Sequence, residues 1–305
     1  MDKKILVTGG AGFIGSHVVD ELLKNNHQVS VLDLKDKNEA TNLAHCIDNI
    51  NYVSGDIRDT KLINELCEDC DYVIHLAAIV SVPLSVQDPV GTNDNNVNGT
   101  LSVFDAAKNN QVKRLVYASS AAVYGENDQV VSKENIKLNP QSPYAIQKLT
   151  NEFYGRFYSD NNLLETIGLR YFNVFGSRQD PNSHYSGIIA ILQKHFATKT
   201  PPTIYGDGQQ TRDYVHVSDV VKANLLALTA GKAGEIYNIG TGVETSLNQL
   251  LEYFKDITQI QLEPKYDEAR AGDILRSCAS IKKAEQELGY EPSCDLKEGL
   301  KLLLV

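Results

Sequence analysis

The chain has 305 residues, of which 42% are hydrophobic and 22% charged, a globular composition with room for one large or two ordinary domains. Its formal net charge of −10 argues against a sequence-independent nucleic-acid binder, because neutralising phosphates demands a basic face. No apolar run reaches the roughly 18 residues of a membrane span, and Met1-Asp2-Lys3-Lys4 leads into a strand with no signal-peptide pattern, so a soluble, cytoplasmic protein without membrane partners is expected.

In chain order, Lys4-Ile5-Leu6-Val7-Thr8 predicts a short strand, Gly9-Gly10-Ala11-Gly12-Phe13-Ile14-Gly15 a tight turn, and the residues through Leu22-Leu23-Lys24 a helix. Glycines at a strand-to-helix turn let backbone N–H groups and the helix N-terminus approach a pyrophosphate without a Cβ in the way. A second strand, Val29-Ser30-Val31-Leu32, ends in Asp33, about 20 residues beyond the motif, where a carboxylate accepts hydrogen bonds from an adenosine ribose. Asp33 would also repel a 2′-phosphate, so NAD is expected rather than NADP, although Lys35 and Lys37 stand against that preference.

The unit repeats. Asn51-Tyr52-Val53, Tyr72-Val73-Ile74-His75-Leu76, Leu115-Val116-Tyr117 and Thr166-Ile167-Gly168-Leu169-Arg170 read as strands separated by helices, which implies a Rossmann-type, doubly wound parallel α/β sheet. Ligands in that architecture sit at the carboxyl ends of strands, where Asp56, Ala77, Ala78, Ser119, Ser120 and Asn173 fall. His75 precedes that edge and reads as a core histidine. Cys67-Glu68-Asp69-Cys70 could suggest zinc or redox chemistry, but no second pair stands at ligand spacing, so no metal is expected.

Ser142-Pro143-Tyr144-Ala145-Ile146-Gln147-Lys148 places Tyr144 and Lys148 at i and i+4, on one face of a helix. A free phenol titrates near pH ~10, and an adjacent ammonium favours the phenolate, as a general base working near neutrality requires. The spacing alone is common; with the glycine turn and Ser120 it describes a redox enzyme.

With these residues in order, the chain resembles the extended short-chain dehydrogenase/reductase family and, within it, the nucleotide-sugar 4-epimerases. The markers are Gly9-x-x-Gly12-x-x-Gly15, Gly55-Asp56-Ile57, His75-Leu76-Ala77-Ala78, Asn95-Asn96-Val97-Asn98-Gly99-Thr100, Ser119-Ser120-Ala121-Ala122-Val123-Tyr124-Gly125 and Ser142 to Lys148. The resemblance implies that Tyr144 is the base, Lys148 holds the nicotinamide ribose and Ser120 binds the reacting hydroxyl. It also implies that Gly9, Gly12, Phe13, Ile14, Gly15, Asp33, Asp56, Ile57, Ala77, Ala78, Asn95, Ser119 and Tyr171 surround NAD. The second half is similar to the family's substrate region, which implies that Ser81, Asn173, Gly187, Ile188, Tyr205, Arg212, Arg270 and Ser277 take a UDP-sugar. An arginine fork matches a diphosphate, and an aromatic ring can cover a uracil. The expected division is a NAD-binding Rossmann domain over 1–172 with a returning segment at about 211–243, and a mainly nucleotide-sugar-binding α/β domain over 173–305. A homodimer paired through helices starting near Asn95 and Pro143 is also implied.

The same resemblance separates the reactions. Dehydratases of the family carry Asp-Glu soon after the catalytic hydroxyl residue and decarboxylases a glutamate there; here those places are Ala121 and Ala122, so C4 epimerisation of a UDP-sugar through a 4-keto intermediate is expected. Ser81-Val82-Pro83, Val80 where many glucose/galactose epimerases carry lysine, and Ser277 where some relatives carry a pocket-closing tyrosine lean toward UDP-N-acetylglucosamine and UDP-N-acetylgalactosamine, with UDP-glucose and UDP-galactose also accepted. A 4-epimerase of a different nucleotide sugar, such as UDP-glucuronate, and a catalytically silent NAD-binding regulator of the same fold are the alternatives. Two departures from the family pattern, Ala118 and Ser280, lie outside the chemistry, and Ser280 is expected to cap the helix beginning Ile281-Lys282-Lys283-Ala284.

Overall fold

Parallel strands buried on both faces need largely apolar runs, and the chain up to residue 171 supplies them, with a more exposed edge strand at 51–54. In the computed structural model, which describes residues 2–126, 131–180, 187–269 and 274–304, these runs form β1 (Lys4–Thr8), β2 (Gln28–Asp33), β3 (Asn51–Ser54), β4 (Tyr72–His75), β5 (Arg114–Ser120) and β6 (Thr166–Tyr171). Later strands are short: β7 (Asn173–Phe175), β8 (Thr203–Tyr205), β9 (Thr211–Arg212), β10 (Tyr214–His216), β11 (Ile236–Ile239), β12 (Thr245–Ser246), β13 (Lys265–Asp267) and β14 (Arg276–Ser277). The main sheet is seven-stranded and parallel, in the order β11-β6-β5-β4-β1-β2-β3. The order reverses between β1 and β4, and that switch point opens a crevice for ligands at the carboxyl edge.

Helices cover the sheet. In the first half they are α1 (Phe13–Lys24), α2 (Thr60–Cys67), α3 (Val82–Gln87), α4 (Pro89–Asn93), α5 (Thr100–Asn109) and α6 (Pro143–Asp160). They are followed by α7 (Ile188–Thr198), α8 (Val217–Ala227), α9 (Leu247–Thr258), α10 (Lys282–Leu288) and α11 (Leu296–Leu304). A π-helical stretch, Asp94–Gly99, joins α4 to α5. Apolar side chains on one sheet face pack against α1 and α8, and those on the other against α2 and α5. A third cluster, with Phe175, Phe196, Phe254 and Leu300 at its centre, holds α7, α9 and α11 together beyond the sheet.

His75 is buried between the hydroxyls of Thr8 and Thr100, at 2.7 and 3.0 Å, and burial drops its pKa to about 3, so it stays neutral. Ser280 does not cap α10; the cap position is Ile281, and the Ser280 backbone is drawn to Ser132 and Asn238 instead. Cys67 and Cys70 are free, and burial pushes their thiols up to about 12 and about 11, away from thiolate chemistry. Among the described residues no helix is long and apolar enough to cross a membrane.

Candidate active site

The turn from β1 into α1 leaves no space for side chains. Gly9 has φ +72°, and a Cβ there would lie 2.7 Å from the Ala77 backbone nitrogen; at Gly15 it would lie 2.2 Å from the Gly9 carbonyl oxygen. The bare amino end of α1 therefore faces a cavity of about 710 Å³, inside the ~300–1,000 Å³ range of small-molecule sites. Gly9, Gly12, Phe13, Ile14, Gly15, Asp33, Ile57, Ala77, Ala78 and Asn95 line one end of it. Asp33 Oδ2 accepts from the Ala11 N–H at 3.0 Å and Oδ1 from the Lys35 N–H at 3.1 Å, so the carboxylate is oriented by the backbone alone. A side-chain-free cradle at a helix N-terminus, beside a fixed carboxylate, fits a dinucleotide's pyrophosphate and ribose.

The middle of the cavity is lined by Ser119 and Ser120 at the end of β5, by Tyr144 and Lys148 on α6, and by Tyr171 at the end of β6. α6 starts sharply. Ser142 caps it by accepting from the Ala145 N–H, Pro143 occupies its first turn, and the Tyr144 N–H donates to the Ser85 hydroxyl at 3.1 Å. The i, i+4 spacing then turns Tyr144 and Lys148 to the cavity, with Lys148 Nζ 5.8 Å from the tyrosine ring centroid. Nζ donates to the Ala118 carbonyl oxygen at 2.9 Å. One further turn along the same face, Glu152 accepts from the Ser119 hydroxyl and from both Nε and Nη2 of Arg170. That ion pair is only 5% and 3% exposed, so it anchors α6 to β5 and β6 directly behind the site.

Burial reverses the sequence expectation for the Tyr144 phenol. It pushes the phenol up to about 12, partly offset by the Ser120 hydroxyl, and pushes the Lys148 ammonium down to about 8. Removal from water dominates both shifts, and the ammonium, 5.8 Å from the centre of the tyrosine ring, is committed to a backbone carbonyl.

At the other end, Asn173, Gly187, Arg212 and Ser277 reach the wall, joined by Gln179 and Ile274. Arg212 Nη1 donates to the carbonyl oxygens of Thr211 and Ile274, which holds the guanidinium near the cavity. Four expected residues do not line the cavity. Ser81 is buried and spends its hydroxyl capping α3 through the Leu84 N–H. The Asp56 carboxylate folds back onto Arg58, which lowers its pKa, and Arg58 also pairs with Asp94. Ile188 packs against the third apolar cluster, and Tyr205 sits in β8 beside β13. Arg270 lies outside the described residues.

Known proteins match this arrangement along almost its full length. Residues 5–240 match the model of the NAD dependent epimerase/dehydratase family. The chain belongs to that family. A putative UDP-glucose 4-epimerase of Methanocaldococcus jannaschii is 44% identical over 97% of this chain and 96% of its own. Among solved structures, the UDP-glucose 4-epimerase of Thermotoga maritima with UDP-glucose superposes with a TM-score of 0.93 at 40% identity, covering 99% of this chain and 97% of that one. The UDP-N-acetylglucosamine 4-epimerase of Methanobrevibacter ruminantium, in complex with UDP-N-acetylmuramic acid, gives 0.94 at 37% identity with the same coverage. The cofactor of the family is NAD, as the glycine turn and Asp33 led us to expect.

Several residues that serve this epimerase/dehydratase site were not singled out from the sequence. Asn96 receives the Ile79 N–H and donates to its carbonyl, so it holds the segment after Ala78 against the π-helical turn. Gln147 accepts from Asn96 and donates to Thr92, tying α6 to the same turn. Ser85, Glu152 and Arg170 brace Tyr144 and Ser119 as described. Asn96 lay within a quoted motif, and Glu152 continues the Tyr144, Lys148 spacing by one turn. Ser85 and Gln147 carried no comparable signal.

Proposed function

We propose that the chain is an NAD-dependent UDP-sugar 4-epimerase acting on UDP-N-acetylglucosamine and UDP-N-acetylgalactosamine, and on UDP-glucose and UDP-galactose as well. The observation that carries the reaction type is the wall beyond Ser120: Ala121 and Ala122 line the cavity there, and two methyl groups carry no proton for an elimination. Tyr144 and Ser120 remain as the hydroxyl-bearing groups beside a reacting carbinol. When bound, NAD supplies the redox partner that takes up and returns the two electrons at C4. Ser120 orients the 4-hydroxyl, the Lys148 ammonium offsets the cost of ionising Tyr144, and the Tyr144 phenolate oxygen then receives the O4 proton as the 4-keto sugar forms. After the sugar turns over, Tyr144 returns the proton to the oxygen at C4, now in the opposite configuration. Binding energy then belongs at the nucleotide end, at Asn173 and Arg212, leaving the sugar free to rotate.

Ser277 on the cavity wall supports the acetylated substrates, since a serine leaves room for an acetamide at C2 where a tyrosine would not. The likeness to the M. ruminantium enzyme points the same way. A roomier pocket discriminates weakly against the smaller sugar, by roughly 1–3 kcal/mol, which is why both classes are included. We read the assembly as a homodimer: Ile146, Phe153, Tyr154 and Phe157 expose an apolar stripe along α6, and light scattering in solution tests it.

Incubation of the purified protein with UDP-N-acetylglucosamine, UDP-glucose or UDP-glucuronate, followed by proton NMR, tests the assignment. Galacto-configured product from the first two is expected. Turnover of UDP-glucuronate alone would replace the substrate reading, and no C4 inversion with NAD bound would refute the epimerase.

A further inference from the structure

Asp213 follows Arg212 in the chain but does not share its place. It has no solvent exposure and does not line the cavity. Its Oδ1 accepts from the N–H and the hydroxyl of Thr241, at 2.8 and 2.7 Å, and its Oδ2 from the N–H groups of Gly242 and Ala279, at 2.9 and 3.1 Å. These four donors occupy the roughly four lone-pair sites of a carboxylate. Among the described residues no cation pairs with it, and burial raises its pKa while the four donors pull it back. A full set of donors and no cavity face make a role in proton transfer untenable.

The backbone of the same residue completes a junction. The Asp213 N–H donates to the Ser277 carbonyl oxygen at 2.8 Å, and the Asp213 carbonyl accepts from the backbone N–H and the side-chain amide of Asn173, at 3.0 and 3.2 Å. One residue therefore fastens β7, which carries Asn173, to β9, which carries Arg212, and to β14, which carries Ser277. The loop after β11 is drawn in so closely that a Cβ on Gly240 would meet Asp213 Oδ2 at 2.7 Å. Strands of two or three residues have too few ladder bonds to hold such positions by themselves, and a buried charge with four directed bonds supplies the missing rigidity.

We propose that Asp213 is a positioning residue for the nucleotide end of the substrate site: its buried carboxylate sets the spacing of Asn173, Arg212 and Ser277, and so the affinity for the uridine diphosphate moiety. The proposal rests on the UDP-sugar reading above. Replacing the carboxylate by an amide sets an NH₂ group against at least one N–H donor in either orientation, which loosens the junction without changing its volume.

The test uses the NAD-loaded enzyme, with UDP as the probe in calorimetry, bound NAD quantified separately, and steady-state KM and kcat measured in parallel. Asp213→Asn is expected to raise the Kd for UDP and the KM by about tenfold or more, with NAD content and kcat held within about threefold. Thr241→Val removes one donor of the four and lies off the cavity wall; it is expected to shift UDP affinity in the same direction by a few-fold, and it decides the matter if Asp213→Asn does not fold. Wild-type UDP affinity in either folded variant overturns the proposal, as does a loss of NAD in parallel with UDP, which would mark a general folding role. A wild-type enzyme that does not bind UDP would overturn the UDP-sugar reading and this proposal with it, whereas normal wild-type binding with unchanged variants overturns the proposal alone.

Discussion

The two ends of the cavity are built by different means. The end proposed to hold the cofactor rests on β1, β2 and β4, strands of four to six residues inside one continuous parallel sheet, and its glycines are shaped by contacts within the turn and with the neighbouring strand end. The end proposed to hold the substrate rests on β7, β9 and β14, pieces of three, two and two residues brought together from positions 173, 212 and 277. A regular sheet positions its strand ends by many repeated hydrogen bonds, so one lost contact is shared among neighbours. Short strands meeting at a buried carboxylate have no such redundancy. The first end is therefore expected to fail where a backbone approach is blocked, the second where one side chain changes.

The largest effect is expected between the two ends. Tyr144→Phe removes the group proposed to take the O4 proton and should lower turnover by about 10³-fold, with NAD and UDP still bound; retained turnover would remove Tyr144 from the chemistry. Gly15→Ala breaks the cofactor end alone. Its Cβ would meet the Gly9 carbonyl oxygen at 2.2 Å, so we expect a loss on the order of 2–3 kcal/mol in stability, together with depleted NAD, read by calorimetry and by absorbance of the released cofactor.

Ser277→Tyr acts on the substrate end alone. It should cut kcat/KM for UDP-N-acetylglucosamine by about 10–100-fold relative to UDP-glucose, the scale of a steric change in a pocket, with NAD content unchanged. Equal losses on both sugars would move the acetamide elsewhere.

The next effect concerns pH. Burial takes the Lys148 ammonium from 10.5 down to about 8. Between those two values the unfolded chain binds more protons than the folded one, so the contribution of Lys148 to stability rises with pH across that window. Lys148→Met should lose this rise, so that wild type gains on the variant between pH 7.5 and 9.5 in denaturant titrations. Above pH 10 the Tyr144 phenol, raised by folding from 10.0 to about 12, makes stability fall with pH in wild type and variant alike. The smallest expected effect is Ser81→Ala, which loses the cap of α3 at a cost of about 1 kcal/mol; a large change in substrate KM would instead return Ser81 to the binding site.

The contrast between the two ends also explains what could be read early. Strand, glycine turn, helix and terminal carboxylate lie within thirty positions, and their periodicity and spacing are local properties of the chain, so the glycine turn and the carboxylate that line this end of the cavity were legible. Tyr144 and Lys148 were legible for the same reason, being one helical turn apart. Ser81 and Asp56 were placed at the wall because their neighbours are there, but a hydroxyl drawn to a helix cap and a carboxylate drawn to Arg58 follow from side-chain partners that spacing does not reveal.

The amino-acid sequence by itself determined the doubly wound sheet, the glycine turn into α1 and the pairing of tyrosine with lysine, because each depends on residues close enough in the chain for backbone geometry to relate them. Only the tertiary structure decided that burial sets the resting charges of Tyr144 and Lys148, that Glu152 and Arg170 brace the site from behind, and that Asp213 joins strands from three distant segments. Those outcomes depend on which groups are removed from water together, and desolvation and long-range hydrogen bonding are properties of the packed chain.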